Sequence, residues 1–435
     1  MINPTYEESF KTADFPEEPG APWLRPLRES AFARFQALGF PNRRLEDWKY
    51  INLIPVLRGR FEEAGESGIF FTPLHEKTGW VVDNLGVILS EAKNLRSFAL
   101  ESGASPIQGL RMTMARGLAS ESNPFAAINT FRFRAGAFIF IPKDYSAPEP
   151  IELFFRGTGT EENPKVFYPR VLVVLEDGAR AKVVFHHAAQ GAAHYFMNAV
   201  SEIHLGRNAG LDWIDAEERS PASFQFHSVR AYLQEESRFQ AVGVTNDGAK
   251  VRREMRIEFE GQGGFASVDG LSVLDGDSQV FDHVTVNHRV PECTSRQTFK
   301  NILSGNSQTE FDSLSHVFSV ASKSDTYQLN KNLLLSENCR AYSRPQLKIY
   351  TDDVKANHGA ANGRMERDEL FYLQSRGLSK PAARFILTYG FAKEILDKIG
   401  PEPVRRKIDE AVRAKIERMI QEILAGEKAG AWTVV

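Results

Sequence analysis

Cysteine is scarce in this chain, because Cys293 and Cys339 are the only two among 435 residues. Two thiols cannot build a disulfide framework, and no CxxC pair is present. This low cysteine content fits a reducing compartment, so the sequence predicts a cytoplasmic protein.

Long apolar runs and a strong net charge are also lacking. No window approaches about 18 consecutive apolar residues, so no transmembrane helix is expected. The N-terminus shows no basic region followed by an apolar one, which argues against a secretory signal. The formal net charge is only −3. Nothing in this balance points to nucleic acid or to an acidic membrane surface as a partner.

The sequence motifs of self-sufficient enzymes are missing as well. There is no GxxxxGK[ST] loop for phosphates, no GxGxxG after a strand, and no HExxH or GxSxG motif. His186 and His187 are adjacent, and neighbours on a strand face opposite sides, so they form a poor metal pair. We therefore expect a protein that is not an enzyme.

The composition that remains is typical of a globular protein, with 42% hydrophobic and 25% charged residues and enough length for two or three domains. Apolar residues at spacings of three and four predict a helix over 23–38. Residues 86–130 are mostly helical in pattern, with a helix start at Asn123 followed by proline. These features assign 1–134 to an N-terminal helical region.

The segment from Pro41 to Tyr50 combines cations, acids and two large aromatic residues. One interpretation is a capped turn whose aromatic side chains dock on the core. The other is a polar surface that meets a partner. The sequence alone leaves both open.

From Gly136 the pattern changes to short apolar runs without a good helix between them, which excludes Rossmann and TIM arrangements. A weak repeat places an apolar residue, three polar or small residues and then a small residue at spacings near 15 residues or twice that. Such spacing is typical of stacked strands with tight corners, whereas a β-sandwich has turns every 8–12 residues or so. We predict a right-handed parallel β-helix over 135–350. The corners begin at Leu175, Leu205, Leu233, Phe259, Leu274, Leu303, Val320 and Leu335.

The tail, 351–435, is predicted to be a C-terminal helical domain. Its three helices are expected to be short and to sit on the end of the solenoid, with Ser379 as a cap for the second. Between the β region and these helices, His358 lies in a run of Gly, Ala and Asn that we interpret as a loop. An imidazole there can face a partner or a metal, although from spacing alone a single histidine is more typical of a surface turn.

Several motifs together resemble the SufB/SufD family of iron–sulfur cluster assembly proteins, over nearly the whole chain. Within that family, the triplet His358-Gly-Ala is similar to the SufD members rather than to the SufB members. The matching segments are Leu45–Tyr50, Asn129–Pro142, Cys293–Lys300, Gln328–Leu335, Arg344–Ile349, Asp352–Ala360, Leu370–Gly377, Ala383–Arg384 and Gly390–Phe391.

The resemblance implies a β-helix core with helical ends and a scaffold role in iron–sulfur cluster assembly. It implies a complex of one SufB, two SufC ATPases and one SufD, in which SufB and SufD join through their β-helices. SufC would dock on the C-terminal helices, where the candidate contact residues are Phe371, Tyr372, Arg376, Phe385 and Phe391.

The resemblance also implies that His358 takes part in iron acquisition or cluster formation at the SufB interface. Many relatives carry Cys two residues before this histidine, but this chain has Ala356. The imidazole alone would then supply this subunit's ligand, as it can when neutral. No tightly bound cofactor is expected in the isolated chain, and the nascent cluster or iron would bind in the complex.

Two alternatives remain at this point. One is a homodimer that carries iron, because an edge that takes SufB could take a second copy. The other is a β-helix enzyme acting on polysaccharide, for which Asp282 and Asp312, about one coil apart, could pair as catalytic carboxylates.

Overall fold

The structure, a computed structural model, describes residues 4–11, 15–16, 24–65, 68–70, 81–84, 121–134, 136–189, 193–218, 222–246 and 248–430. The helical pattern expected over 86–120 lies outside these ranges.

The centre of the molecule is a parallel β-solenoid in which successive strands alternate between two sheets. The strands are β1 (Glu62–Glu63), β2 (Ile69–Phe70), β3 (Val81–Asn84), β4 (Gly136–Ile141), β5 (Ile151–Gly157), β6 (Lys165–Phe167), β7 (Arg170–Leu175), β8 (Arg180–Ala189), β9 (Tyr195–Leu205), β10 (Gly210–Glu218), β11 (Phe224–Leu233), β12 (Arg238–Thr245), β13 (Lys250–Phe259), β14 (Phe265–Leu274), β15 (Gln279–His288), β16 (Thr294–Leu303), β17 (Gln308–Val317), β18 (Ser324–Leu334), β19 (Arg340–Ile349) and β20 (Val354–Gly363).

Sheet A has the strand order β19-β17-β15-β13-β11-β9-β7-β4-β3, with β6 beside β9 and β1 beside β6. Sheet B has the order β2-β5-β8-β10-β12-β14-β16-β18-β20. Pairing is parallel except at the N-terminal ends, where β3 pairs antiparallel with β4 and β2 with β5. The predicted mainly β, parallel β-helix architecture is confirmed.

Small residues at the corners explain why the coils stack closely. Ala179, Ala209, Ser237, Ser307 and Ser324 each follow a strand end and are almost completely buried. Each lies where the chain turns from one sheet to the other, so a larger side chain would collide with the neighbouring coil. The corner repeat read from the sequence therefore marks the true coil boundaries.

The interior of the solenoid is filled by alternate residues of both sheets, because side chains along a strand point alternately inward and outward. Large inward residues such as Phe185, Trp213, Phe239, Phe259 and Phe311 belong to one continuous apolar cluster. This core fixes the register of the strands that contribute to it, since a slip by one residue would turn their apolar set outward.

The N-terminal region covers the outer face of sheet A. It contributes α1 (Leu24–Leu38), α2 (Ile54–Leu57) and α3 (Pro124–Arg132). Asn123 caps α3 by accepting a hydrogen bond from the backbone N–H of Phe125 at 2.9 Å. The helices predicted over 23–38 and after Asn123 are thus present.

Aromatic side chains bind this region to the sheet. Phe125 packs edge-on against Phe226 and Phe196 of sheet A, with ring centroids 4.7 and 6.1 Å apart. Phe131 of α3 contacts Phe32 and Phe35 of α1. The N-terminal helices and sheet A therefore share a second apolar core.

The C-terminal region comprises α4 (Arg367–Ser375), α5 (Lys380–Leu396) and α6 (Glu402–Gly430). Ser379 caps α5 by accepting from the backbone N–H of Ala382 at 3.4 Å. The expectation of three short helices on the solenoid end is wrong, because α6 has 29 residues and packs against the outer face of sheet B.

This packing buries apolar residues that sheet B directs outward. The cluster joins outward-facing residues of sheet B to the apolar faces of α5 and α6. The cluster includes Val184, Ile214, Val242, Leu271, Ile302, Ala392, Ile395, Val412 and Ile416.

Among the helices in the described ranges, none has the length and apolar content needed to cross a membrane.

The structure differs from the expected domain organisation in two respects. The solenoid does not end at residue 350, because β20 adds a full strand that pairs with β18 along its length. The first 134 residues also contain β1, β2 and β3 as well as helices. The reason for the first error is that β20 lacks the β-branched and aromatic residues by which strands are recognised.

Candidate functional site

The C-terminal end of the solenoid exposes the edges of both sheets. β19 ends sheet A and β20 ends sheet B, and each strand has ten residues. No strand within the described ranges pairs with their outer sides. Their backbone N–H and C=O groups on that side therefore form a surface ready to pair with another chain.

His358 lies in the middle of β20 and is exposed. The expectation that it sits in a loop is wrong: ten register pairs with β18 hold this segment as a strand. His358 is in register with Gln328, whose side chain is buried in the solenoid. Because neighbouring residues in register point to the same side of a sheet, the imidazole lies on the inward-facing side of the last coil.

The position expected to carry Cys in many relatives, Ala356, is in register with Thr326 on the same side of β20. Both cysteines are free thiols and buried elsewhere. Burial raises the pKa of Cys293 to about 11, so this thiol is not a ready metal ligand. His358 is the histidine that β20 presents at this edge.

Beneath this edge, the interior of the last coils is polar instead of apolar. The Gln328 amide donates to the hydroxyls of Ser313 and Ser315 at 2.9 and 3.0 Å. Thr326 donates to Ser315 at 2.8 Å, and Ser313 donates to Gln297 at 2.5 Å. A connected network of this kind fixes side chains in one arrangement, so β20 rests on a rigid base.

A second amide contact joins β20 to its neighbour. The side chain of Asn332 donates to the Asn362 side chain at 2.6 Å. This contact adds to the backbone pairing with β18 that holds β20 on both sides of His358.

The residues proposed to contact a partner on the tail divide into two groups. Phe371 and Tyr372 of α4 are 72% and 56% exposed, and the Arg376 guanidinium lies 5.2 Å from the Tyr372 ring. Phe385 and Phe391 of α5 are instead partly buried against the cluster on sheet B. The structure places the first three on α4 or at its C-terminal end, with Arg376 in contact with Tyr372, and gives the other two a packing role.

The segment from Pro41 to Tyr50 docks on the solenoid. Trp48 is 5% exposed, and the Arg252 guanidinium lies 3.8 Å from the centre of its ring. Tyr50 stacks on Tyr342 of β19. The aromatic residues of this segment therefore dock on the core, as one of the two interpretations expected. Asp47 remains 71% exposed, as the polar-surface interpretation expected.

Acidic residues and one histidine lie under this segment on the outer face of sheet A. Burial raises the pKa of Glu310 to about 8 and also raises that of Asp312. Burial and the nearby guanidinium groups of Arg252 and Arg344 hold the pKa of His283 well below its usual range. His283 lies 3.5 Å from Glu310 and 3.4 Å from Asp312.

Asp282 and Asp312 do not form a catalytic pair. Asp282 points into the solenoid, where its two oxygens accept from Arg253 at 2.6 and 3.0 Å. Asp312 is in register with His283, the next residue along β15, so it points outward to Arg344. Two carboxylates on opposite faces of a sheet cannot act on one glycosidic bond.

Sequence reasoning missed a buried group formed by His187, Asp215 and His227 inside the solenoid. His186 and His187 do face opposite sides, as expected, since His186 contacts Glu152 on the outside. The signal that could have found the group is the repeat of about 30 residues, which brings the ends of β8 and β10 side by side.

Comparison with known proteins places this architecture in a family. The model described as "SUF system FeS cluster assembly, SufBD core domain" matches residues 155–391, and the model described as "SufBD protein N-terminal region" matches residues 3–66. The first of these spans more than half of the chain.

Individual relatives agree over most of their length. An iron–sulfur cluster assembly SufBD family protein of Synechocystis sp. is 28% identical over 411 residues, covering 89% of this chain and 90% of the relative. The iron–sulfur cluster assembly protein SufD of Escherichia coli is 25% identical over 374 residues, covering 85% and 88%. The protein of the same name from Bacillus subtilis is 22% identical over 444 residues, covering 96% and 98%.

Proposed function

This chain belongs to the SufBD family of SUF-system iron–sulfur cluster assembly proteins, and from that premise we propose that it is a non-catalytic scaffold subunit of the SufD type. In this proposal it pairs with SufB, binds the SufC ATPase and assists iron acquisition and nascent cluster formation. It would act in the cytoplasm, which suits a protein whose two cysteines are free.

The observation that carries the proposal is the pair of open edges at the C-terminal end of the solenoid. Strands β19 and β20 each present ten residues without an outer partner among the described strands. Long uncovered edges are normally protected in proteins that act alone. A partner with a matching solenoid end would extend both sheets, and SufB is the partner that the family suggests.

His358 would then lie at the junction of the two subunits. A neutral imidazole ligates iron, but one ligand binds weakly. Thiolate or carboxylate groups supplied by SufB would complete the site. The metal or cluster is cargo in this proposal, so the isolated chain holds no tightly bound cofactor at His358.

SufC would dock on the exposed face of α4. Phe371 and Tyr372 are large aromatic residues with most of their surface in solvent, and Arg376 lies beside Tyr372. Exposed aromatic and arginine side chains in one patch are typical of interaction hot spots. ATP-driven movement of SufC would reach β20 through this helix.

A second candidate is a homodimer that carries iron, and the same open edges favour it. Two copies could pair through β19 and β20 when SufB is absent. In our proposal the homodimer uses the same surface as SufB, so SufB displaces the second copy of this chain.

Co-purification tests these assignments. The chain is expressed alone, with SufB, and with SufB and SufC, and the mass of each product is measured by light scattering. We expect a dimer or monomer alone, and a three-component complex that assembles iron and acid-labile sulfide anaerobically. Failure of the chain to bind SufB would contradict the proposal. So would SufC binding that is unaffected by substitutions on α4.

A further inference from the structure

Two histidines and one aspartate converge inside the solenoid, away from the exposed edge. His187 Nε2 lies 2.7 Å from Asp215 Oδ1, and His227 Nδ1 lies 3.3 Å from Asp215 Oδ2. One ligand atom from each residue lies within 4.8 Å of the others. All three side chains are at most 8% exposed.

The fold explains why these residues meet. Asp215 of β10 is in register with Phe185 of β8, so His187 lies two residues further along on the same inward face. His227 is on β11 in the opposite sheet and reaches across the interior. The three ligands therefore come from three strands of a rigid scaffold, which is the placement that a preorganised metal site needs.

The distances fit a shared cation. Histidine nitrogen and carboxylate oxygen ligands lie about 2.0–2.2 Å from a first-row metal ion. Two such atoms at a right angle around one ion are about 3 Å apart, as simple geometry requires. The observed separations of 2.7 Å to Asp215 Oδ1 and 3.3 Å to Asp215 Oδ2 lie on either side of that value, which suits a carboxylate that binds an ion through both oxygens.

Ser201 orients one of the imidazoles. Its hydroxyl lies 2.8 Å from His227 Nε2. If that nitrogen carries the proton and donates to the hydroxyl, Nδ1 is left with a lone pair directed at Asp215. A hydrogen bond on the far nitrogen is the usual way in which proteins fix the tautomer of a metal-binding histidine.

The charges around the cluster also favour a cation. Arg253, which also interacts electrostatically with Asp215, makes both of its short carboxylate contacts to Asp282. With both imidazoles neutral, Asp215, Asp282 and Arg253 sum to one negative charge inside the protein. An uncompensated buried negative charge is costly, so a cation is favoured here: a proton on an imidazole would cancel the charge, and a divalent metal ion would change it to one positive charge.

Aromatic rings lie beside the cluster, and a small space remains. Phe185 and Trp213 lie against His227, with ring centroids 5.5 and 6.4 Å away. A cavity of about 40 Å³ is lined by Trp213, Asp215 and His227 among others. That volume admits one or two water-sized ligands beside an ion.

From this geometry we propose that His187, Asp215 and His227 form an internal site for a divalent first-row transition-metal ion. Two imidazoles and one carboxylate are the ligand set of mononuclear non-haem iron(II) sites and also suit Zn²⁺ and Co²⁺, whereas Mg²⁺ and Ca²⁺ prefer oxygen ligands. The site uses other strands than His358 and does not depend on SufB or SufC.

Anaerobic titration of the full-length, chelator-treated chain with Co²⁺ tests the site. We expect one equivalent to bind, with visible d–d absorption of a nitrogen- and oxygen-ligated ion, and Fe²⁺ to compete while Mg²⁺ does not. His227→Gln and Asp215→Asn should weaken Co²⁺ binding at least tenfold. His358→Ala should bind as the wild type does, which separates this site from the exposed histidine.

The matched control is His288→Gln, because His288 is also a buried interior histidine but contacts the hydroxyl of Ser295 at 2.9 Å. It should leave Co²⁺ binding unchanged. Ser201→Ala keeps the three ligands and should weaken binding about tenfold, as loss of a supporting hydrogen bond does, even if the ligand variants fail to fold. Absence of Co²⁺ and Fe²⁺ binding to the wild type, or unchanged affinity in Ser201→Ala and the ligand variants that fold, would overturn the proposal in favour of a proton-shared ion pair.

Discussion

The ring of Tyr50 stacks on the ring of Tyr342, with centroids 4.0 Å apart and an angle of 15° between the planes. Tyr50 belongs to the N-terminal region and Tyr342 to β19, the last strand of sheet A. The start of the chain is therefore attached to the coil that carries the open edge. Arg344, two residues further along, adds charged contacts to Glu46 and Asp47 at 3.1 and 3.3 Å.

Removing the Arg344 side chain should loosen this attachment. Arg344 also contacts Asp312, which is almost buried, so Arg344→Ala leaves a carboxylate without its main partner. We expect a loss of about 1–3 kcal/mol in the free energy of unfolding, measured by urea denaturation. Arg364→Ala is the matched control, because its pair with Glu337 is 3.8 Å long and exposed, and it should cost less than about 0.5 kcal/mol. Equal losses in both variants would contradict the attachment.

Glu310 should make stability depend on pH. Burial raises its pKa from 4.5 to about 8, opposed by Arg252 and Arg344 and reinforced by Asp312 and Asp47. The native state then keeps a proton that the unfolded chain releases, so this carboxyl lowers stability as pH rises from about 4.5 to 8.

Glu310→Gln removes this titration. The Tm of the variant should therefore increase relative to the Tm of the wild type as the pH rises from 5 to 8. Circular dichroism measures both Tm values at each pH. A difference that stays constant over that range would show that Glu310 does not titrate in this window.

His358→Ala should separate function from stability. The side chain is exposed, so the free energy of unfolding should change by no more than about 0.5 kcal/mol. We expect the variant to assemble with SufB and SufC and to retain ATP hydrolysis, while iron and acid-labile sulfide in the complex fall sharply. His194→Ala, at a partly exposed histidine before β9, serves as control. If the complex with His358→Ala held as much iron and sulfide as the wild type, His358 would have no role in cluster assembly.

The exposed and the packed aromatic residues of the tail should respond differently to substitution by alanine. Phe371→Ala and Tyr372→Ala should leave Tm unchanged and weaken SufC binding about tenfold or more, which corresponds to about 1.4 kcal/mol. Phe391→Ala should instead lower stability by about 1–3 kcal/mol, because Phe391 packs against sheet B and lies 4.7 Å from Lys300 Nζ. Calorimetry with SufC and thermal unfolding of the chain alone distinguish the two effects.

Deleting everything after Asn362 should harm the solenoid as well as partner binding. Residues such as Ile214, Leu271 and Ile302 face α5 and α6, so the deletion would expose an apolar surface on sheet B. We expect aggregation in light scattering and increased binding of a hydrophobic dye. A soluble, monomeric fragment with an unchanged Tm would show that the helices contribute little.

The sequence contained enough information for the architecture because the coil geometry repeats. Small residues such as Ala209 and Ser307 occur where adjacent coils touch, and that steric demand is visible as a spacing. The family motifs add a predicted role for the tail and for His358, which the experiments above test.

Other features depend on register, which single-strand patterns do not encode. β20 was interpreted as a loop because Gly359 and Ala360 carry no strand preference, yet pairing with β18 makes it a strand. The meeting of His187 with Asp215 likewise requires knowing which residues of β8 and β10 are neighbours. Asp282 and Asp312 appeared one coil apart, but a shift of one residue in register places them on opposite faces.

The short connection between β20 and α4 has a mechanical consequence. β20 ends at Gly363 and α4 begins at Arg367, and a segment of this length extends no more than about 14 Å. Any larger displacement of α4 must be absorbed by the terminal strand itself, as tension on its pairing with β18. That load would reach His358 within five residues of the point where it is applied. The stiffness of β20 would then determine how far His358 moves when α4 is displaced.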